Sequence, residues 1–415
     1  MTDGRGWHRF AVFGAALALG ATAMTAQAQD KVSKIGVLAP LTGGAAADGQ
    51  EMVRGVQLAV DEINAKGGVA GYKFEVVEGD VREQSSDAVI SAFERLSGDS
   101  ALNLMTTGYA STTNFEIEYM AEADMPYLIA ANSAQTREIV SKAPDKFPTV
   151  WSLTPSFDAY ETELVPVVEG LAASGKLKLP NKKVALISSD NPYSKTIYEG
   201  LIRSFEKAGW TVTVDELVPF GEINDWRSML AKVRQDPPAV VINTDYLPAN
   251  AATFMQQFME KPTDSLVFIQ YAPSVPEFVK LTKEKSTGVV YNLLGGALTT
   301  PKNPRAAEIA NKYKEKFGVE SGPYGIGMYE MMMIYFDAVE KVGDPSKRLE
   351  IGKAIGETDK RTAQGRIVFD PKTHLSRQGN DYVPIQFYQI WEGERVLFYP
   401  EQYATGEFRS PPWKN

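Results

Sequence analysis

The sequence predicts an α/β protein in two closely joined halves, each built around a parallel sheet. Three observations carry this. β-branched runs alternate with helices of apolar period three to four, the same alternation restarts after Phe147-Pro148, and no low-complexity linker divides the two series. Strand–helix alternation of this kind places helices on both faces of a parallel sheet. The missing linker favours lobes in close contact over separate beads.

The N-terminus is read first. Arg5, His8 and Arg9 precede the apolar run FAVFGAALALGATAM, Phe10 to Met24, and then Thr25-Ala26-Gln27-Ala28. The run is 15 residues, short of the ~20 that span a bilayer, and Ala26-x-Ala28 supplies the small residues of a cleavage site. A secretory signal peptide over residues 1–28 is expected, and with it delivery to the periplasm. The alternative, a retained anchor, lacks the charged stop-transfer pattern.

After Ala28 the elements follow in order. Val32 to Leu38 is a strand that ends at Pro40-Leu41-Thr42-Gly43-Gly44, and Val53, Val56, Val60 and Ile63 then mark a helix closed by Asn64-Ala65-Lys66-Gly67-Gly68. The unit repeats as strand Lys73 to Val77, helix Asp87 to Leu96, strand Leu102 to Thr106, helix Thr113 to Glu122 and strand Pro126 to Ile129. The second series opens with strand Val150 to Leu153, helix Ala159 to Ala173 and strand Lys183 to Ser188. It continues with helix Lys195 to Ala208, strand Thr211 to Val214, helix Trp226 to Arg234, strand Ala239 to Asn243, helix Ala249 to Met259 and strand Leu266 to Ile269. Strand Val289 to Leu294, helices Pro304 to Phe317, Tyr324 to Val342 and Leu349 to Gly356, and late strands at Ile367 to Phe369 and Pro384 to Ile390 return to complete both halves.

Composition removes whole classes of function. The chain has no cysteine, hence no lipid-modified cysteine, disulfide or thiolate metal site. Only His374 lies beyond the signal peptide, so zinc sites and Ser-His or Cys-His machinery lack parts. The formal charge of −9 becomes −10 once Arg5, Arg9 and Asp3 are removed, which disfavours nucleic acid. No later stretch approaches the length of a membrane span. Paired carboxylates could serve a secreted hydrolase, yet no pair stands out, and the chain is not expected to be an enzyme or to carry a cofactor or metal.

Two near-motifs fail. Gly170 to Leu177 puts Leu177 where a phosphate loop needs a hydroxyl and follows a helix, and Gly325-Ile326-Gly327 lacks a third glycine and a preceding strand. Met328, Met331, Met332 and Met333 could form a flexible binding face, but Ile326, Tyr329, Met333, Phe336 and Val339 keep helical spacing, which favours a core stripe.

Ligands of open parallel sheets lie beyond the carboxyl ends of the strands. One such end reads LMTTGYASTTN, Leu104 to Asn114, where glycine, tyrosine and hydroxyl residues lead into a helix. The stretch IGVLAPLTGGAAADGQEMVRGVQLAVDEINAKGGVAGYKFEVV, Ile35 to Val77, with Asp190-Asn191-Pro192-Tyr193 and SGPYGIGMYEMMMIYFDAVEKVG, Ser321 to Gly343, resembles the periplasmic branched-chain amino acid binding proteins, the type I solute-binding proteins of ABC importers. The similarity runs from Lys31 to about Val396.

This resemblance implies two Rossmann-like lobes joined by a three-strand hinge, residues 29–150 with 296–383 and residues 151–295 with 384–415. It implies a protein that traps one small molecule by closure, and no catalysis; delivery to an inner-membrane ABC permease is the leading role, and a monomer is expected. The ligand carboxylate of leucine-binding members falls on Gly108-Tyr109-Ala110-Ser111-Thr112, a second contact on Asn132 and Ser133, the covering tyrosine on Tyr193 and another aromatic contact on Tyr246. A helix N-terminus after the first loop would suit an anion.

Two departures stand out. Ala110 replaces a serine, and Gln270-Tyr271-Ala272 stands where an acidic residue meets the ligand ammonium. A desolvated ammonium without a partner is costly, so Asp48 or Asp245 would have to substitute. The resemblance implies a branched-chain or hydrophobic amino acid-like ligand, whereas Tyr109, Tyr193, Tyr246 and Tyr271 suggest a small carboxylate or amide with an apolar or aromatic body, although loop tyrosines also serve lobe packing. Ser111, Thr112 and Ser133 could equally be helix caps, and Asn132 a turn residue. A sensor subunit on the same fold, which presents ligand occupancy to a membrane receptor, is the competing role.

Overall fold

The computed structural model describes residues 1–2, 31–82, 84–111, 113–131 and 134–414. The expected signal peptide, apart from its first two residues, lies outside the described residues. The first series runs β1 (Lys31–Ala39), α1 (Ala46–Ala65), β2 (Tyr72–Asp80), α2 (Ser86–Ser97), β3 (Leu102–Tyr109), α3 (Glu116–Glu122), β4 (Tyr127–Ala131), α4 (Ala134–Lys142) and β5 (Val150–Ser152). Its strands form a parallel sheet in the order β2-β1-β3-β4-β5. β4 is buried throughout and β3 everywhere but at Tyr109, as central strands covered on both faces must be. The strand expected to open the second series, Val150 to Leu153, is instead the edge of this first sheet, because β5 pairs in parallel with β4.

The second series is α5 (Asp158–Thr162), α6 (Leu164–Ala173), β6 (Lys183–Asp190), α7 (Pro192–Lys207), β7 (Thr211–Pro219), α8 (Arg227–Gln235), β8 (Val240–Asn243), α9 (Pro248–Phe258), β9 (Leu266–Ile269), α10 (Pro276–Thr282) and β10 (Val290–Leu294). The single helix expected over Ala159 to Ala173 is two, since Pro166 has no N–H to bond the carbonyl of Thr162 and the chain breaks at Glu163. The chain then gives α11 (Pro304–Phe317), α12 (Gly325–Val342), α13 (Arg348–Gly356), a separate ribbon of β11 (Asp359–Thr362) and β12 (Gly365–Val368), and finally β13 (Ile385–Trp391) and β14 (Glu394–Tyr399). The second sheet reads β14-β13-β10-β9-β8-β6-β7, with the last two strands of the chain antiparallel at its edge.

α12 belongs to the core of the first sheet. Met328, Met331 and Met332 are fully buried there beside Ile35, Val56 and Leu128, so the methionine stripe is core. α1 and α12 approach until a Cβ on Gly55 would stand 2.2 Å from the carbonyl oxygen of Gly325. Only glycine fits that crossing.

The chain passes between the sheets three times, after β5, after β10 and before β13. The crossings are tied to one another or to the elements beside them. Ser376 Oγ donates to the Leu153 carbonyl at 2.5 Å, Gln386 Nε2 to the Gly296 carbonyl at 2.8 Å, and Gln364 Nε2 to the Gly295 carbonyl. His374, the histidine judged unable to support zinc or triad chemistry, stacks on Trp151 at 4.1 Å between ring centres, with Nδ1 3.1 Å from the carbonyls of Phe147 and Val150.

Candidate ligand-binding site

The carboxyl ends of the two sheets face one cavity of about 270 Å³, at the small end of the ~300–1,000 Å³ usual for ligand sites. The first sheet contributes Tyr109, Ala110 and Ser111 from the end of β3 and Ala130 and Ala131 from β4, with Asp48 from α1. The second contributes Asp190 and Tyr193 from the β6–α7 turn, Tyr246 after β8, Tyr271 after β9 and Leu293 and Leu294 from β10. Parallel strands expose their ends on one side of each sheet, which is why residues so far apart in sequence converge.

Aromatic rings make a continuous wall. Tyr109 lies 5.5 Å from Tyr324 between ring centres, Tyr324 6.2 Å from Tyr271, Tyr271 6.3 Å from Tyr193, and Tyr193 5.9 Å from Tyr246. Phe157 meets Tyr193 at 5.5 Å and Phe220 stacks on Tyr246 at 5.8 Å. Edge-to-face and tilted contacts at these separations leave ring faces available to a guest.

Asp48 and Tyr271 meet across the cavity, the phenol donating to the carboxyl at 2.8 Å. Tyr271 is held by a strained backbone: φ is +63° and ψ −58°, and the N–H of Ala272 bonds the carbonyl of Gln270 at 2.7 Å. This is a γ-turn of the rarer hand, a conformation that bulky residues adopt only where the surroundings impose it. Strain of this kind concentrates at ligand clamps. Burial pushes the Asp48 carboxyl up to about 7, opposed by the Tyr271 bond and reinforced by Glu51 and Glu277.

One turn along α1, Glu51 is also pushed up to about 7 by burial. It receives Ser321 Oγ at 2.8 Å and the N–H groups of Tyr324 and Gly325 at 3.2 and 2.6 Å, and thereby caps the start of α12 from a neighbouring helix. That cap fixes where the Tyr324 ring enters the cavity.

Of the residues singled out in sequence, Asp48, Tyr109, Ala110, Ser111, Tyr193, Tyr246 and Tyr271 line the cavity. Thr112, Asn132 and Ser133 lie outside the described residues. Gln270 does not line it: the amide is fully buried behind Tyr271, beside the Tyr193 phenol, because the γ-turn sends the next side chain forward instead. Asp245 is no substitute for the missing acid, since it is buried away from the cavity and accepts from the Leu247 N–H and from Asn250, both at 2.9 Å. Ser111 has its N–H at 2.6 Å from Glu116 Oε1 and its hydroxyl on Oε2 of the same side chain. The helix expected from Thr113 begins only at Glu116, whose carboxylate turns back onto the loop.

Sequence reasoning missed Tyr160, Phe157, Phe220, Tyr324 and Gln364, all of which line the cavity. Tyr324 stands inside a quoted motif, and its position just ahead of the glycine-led helix was the available signal. Phe220 directly follows the end of β7, so a strand end was its signal, while Phe157, Tyr160 and Gln364 come from a helix start and a ribbon turn with no strand end to flag them.

The family model described as "Periplasmic binding protein" matches residues 33–383. The chain belongs to that family. Among curated relatives, a Leu/Ile/Val-binding protein homolog 8 from Brucella suis is 25% identical over 408 residues, 95% of this chain and 96% of the relative. A Silicibacter pomeroyi ABC transporter structure with a provisional branched-chain amino acid assignment is 30% identical, with TM-score 0.82 over 92% of this chain and all of that one. The substrate-binding protein LivJ of Streptococcus pneumoniae, solved with isoleucine, is 20% identical with TM-score 0.71 over 88% of this chain and 98% of its own, and shares the fold. Like other binding proteins of this family, the chain has two α/β lobes over parallel sheets, and among its described residues no helix is long and apolar enough to cross a membrane.

Proposed function

We propose that this protein is the extracytoplasmic binding component of an ABC importer, which captures one small molecule with an apolar or aromatic body between its lobes and presents it to an inner-membrane permease. The observation that carries the reading is the meeting of Asp48 from one lobe with Tyr271 from the other inside an aromatic cavity. Such a contact favours the shut state, and a ligand touching both lobes favours it further, since only differential affinity shifts a hinge equilibrium. The moving bodies are the lobes of residues 29–150 with 296–383 and 151–295 with 384–415, the first extended through Ser152 because β5 pairs with β4. The crossings would form the hinge.

The test is a thermal-shift and small-angle scattering panel on the purified protein with leucine, phenylalanine, 2-phenylethylamine and phenylacetate. A bound probe at a hundred times its dissociation constant adds about 2.7 kcal/mol and contracts the particle. Tyr193→Ala is expected to weaken binding of the active probe at least about tenfold through the lost ring contacts, with a much smaller change in the ligand-free melting temperature. No contraction with any probe, or catalytic turnover of one, refutes the reading.

A further inference from the structure

We propose that the preferred ligand is an organic cation without a carboxylate, an amine with an apolar or aromatic body whose charge rests on Asp48 inside the ring of tyrosines. This rests on the binding-protein reading above and names its ligand class.

The charge of the wall is one-sided. Among the described residues that line the cavity there is no lysine, arginine or histidine, and the ionisable acids are Asp48, Glu161 and Asp190. Glu161 is answered by Arg203 and Asp190 by Lys195, each at 3.2 Å. Asp48 has a phenol and no cation among the described residues. A desolvated carboxyl with no counter-charge is costly to ionise, and a cationic guest supplies the missing charge where an anionic one would add repulsion.

A second, independent group points the same way. Gln364 is 1% exposed and lines the cavity, and its Nε2 is committed to the Gly295 carbonyl. Its Oε1 has no hydrogen-bond partner and no accessible surface in this shut form, so it is an unmet acceptor at the cavity wall that a small shift of the amide would turn toward an N–H donor. The faces of Tyr109, Tyr271 and Tyr324 surround the same space, and an organic cation over such faces gains from the ring quadrupoles.

Among the described residues of the loop expected to hold a carboxylate, the Ser111 donors are already taken. The N–H and hydroxyl of Ser111, two of the donors expected to hold one, both bond Glu116, which is 2% exposed and also receives the Tyr127 hydroxyl at 3.5 Å. At the facing turn, Asn191 accepts the Ser194 N–H at 2.9 Å and so occupies the start of α7.

Isothermal titration compares matched pairs: 2-phenylethylamine with phenylalanine, 3-methylbutylamine with leucine, and phenylacetate as the anion alone. At least one amine is expected to bind one to one, its amino acid at least tenfold more weakly, and phenylacetate not at all. Asp48→Asn should weaken the amine about a hundredfold, the scale of removing one member of a buried charge pair. Wild-type titrations at pH 7 in buffers of different ionisation heat should show no net proton uptake with the amine, because the Asp48 carboxylate that is hydrated in the open cleft stays ionised when it shuts on a cation. Tighter binding of leucine or phenylalanine than of the amines, with contraction, overturns this proposal and leaves the binding-protein reading intact. Failure of both amines at millimolar concentration also overturns it, and only the absence of contraction with every probe removes the broader reading as well.

Discussion

Asp48→Asn separates the charge of the cavity acid from its shape, because the amide keeps an oxygen for the Tyr271 hydroxyl. In the shut, ligand-free protein burial raises the Asp48 carboxyl from 3.8 to about 7. The folded state therefore binds a proton that the unfolded chain has released. The stabilisation from this group is fully present below about pH 4, declines as pH rises, and is gone above about pH 7. The difference of about three pH units corresponds to about 4 kcal/mol. Asparagine cannot ionise, so the variant is expected to gain about 4 kcal/mol on the wild type between pH 4 and pH 8. Glu51, with its own value near 7, is common to both proteins and largely drops out of the comparison. Urea unfolding of ligand-free wild type and variant, followed by tryptophan fluorescence across that range, measures it. A stability difference that does not change with pH would show that Asp48 is ionised in the ligand-free protein, and would refute a shut, dry cavity as the resting state.

Two further outcomes follow from the crossings. Gly295 has φ of +77° and a Cβ there would stand 1.9 Å from Thr154 Cγ2, so Gly295→Ala is expected to cost about 1–3 kcal/mol, read as a lower urea midpoint; an unchanged midpoint refutes the account of that crossing. Burial lowers the His374 pKa below its ordinary value, against the pull of the Val150 and Phe147 carbonyls, so the neutral ring supports the fold above about pH 6.5 and that support is lost as pH falls. Titration of the His374 ring by NMR at or above 6.5 would contradict this.

Much of the fold was legible because its signals are local. Helix Pro304–Phe317 begins after Asn303 and ends at Gly318 in the left-handed region, and strand Leu266–Ile269 is an uninterrupted apolar run, so their bounds match the sequence reading. α4, α10 and β11 went unread. α4 and α10 are short helices whose few buried side chains, Thr136 and Val140 in one and Phe278 and Thr282 in the other, set up no period, and Asp359–Thr362 has no apolar residue at all. β14 hid behind β13, whose return strand carries only Leu397 and Phe398 as buried residues.

The cavity divides the same way. Tyr109, Tyr193, Tyr246 and Tyr271 follow strand ends and could be placed by the parallel-sheet rule. Gln364 and Tyr160 reach the cavity from a ribbon turn and from a helix beside a crossing, positions that only the tertiary structure defines. Nor could five hydroxyl residues in Leu104 to Asn114 announce that Ser111 would be claimed by an acid five positions on. That pairing depends on where α3 starts.

The hydrogen bond between Asp48 and Tyr271 joins opposite lobes, so under the proposed closure it is a latch that exists only when the protein is shut. Opening hydrates the carboxyl and returns its pKa toward about 4. An empty protein that shuts near neutral pH therefore takes up a proton, while one that shuts on a cation takes up none. The latch is set by medium acidity when the cavity is vacant and by guest charge when it is filled. As the medium acidifies, vacant molecules shift toward the shut form and withdraw from capture.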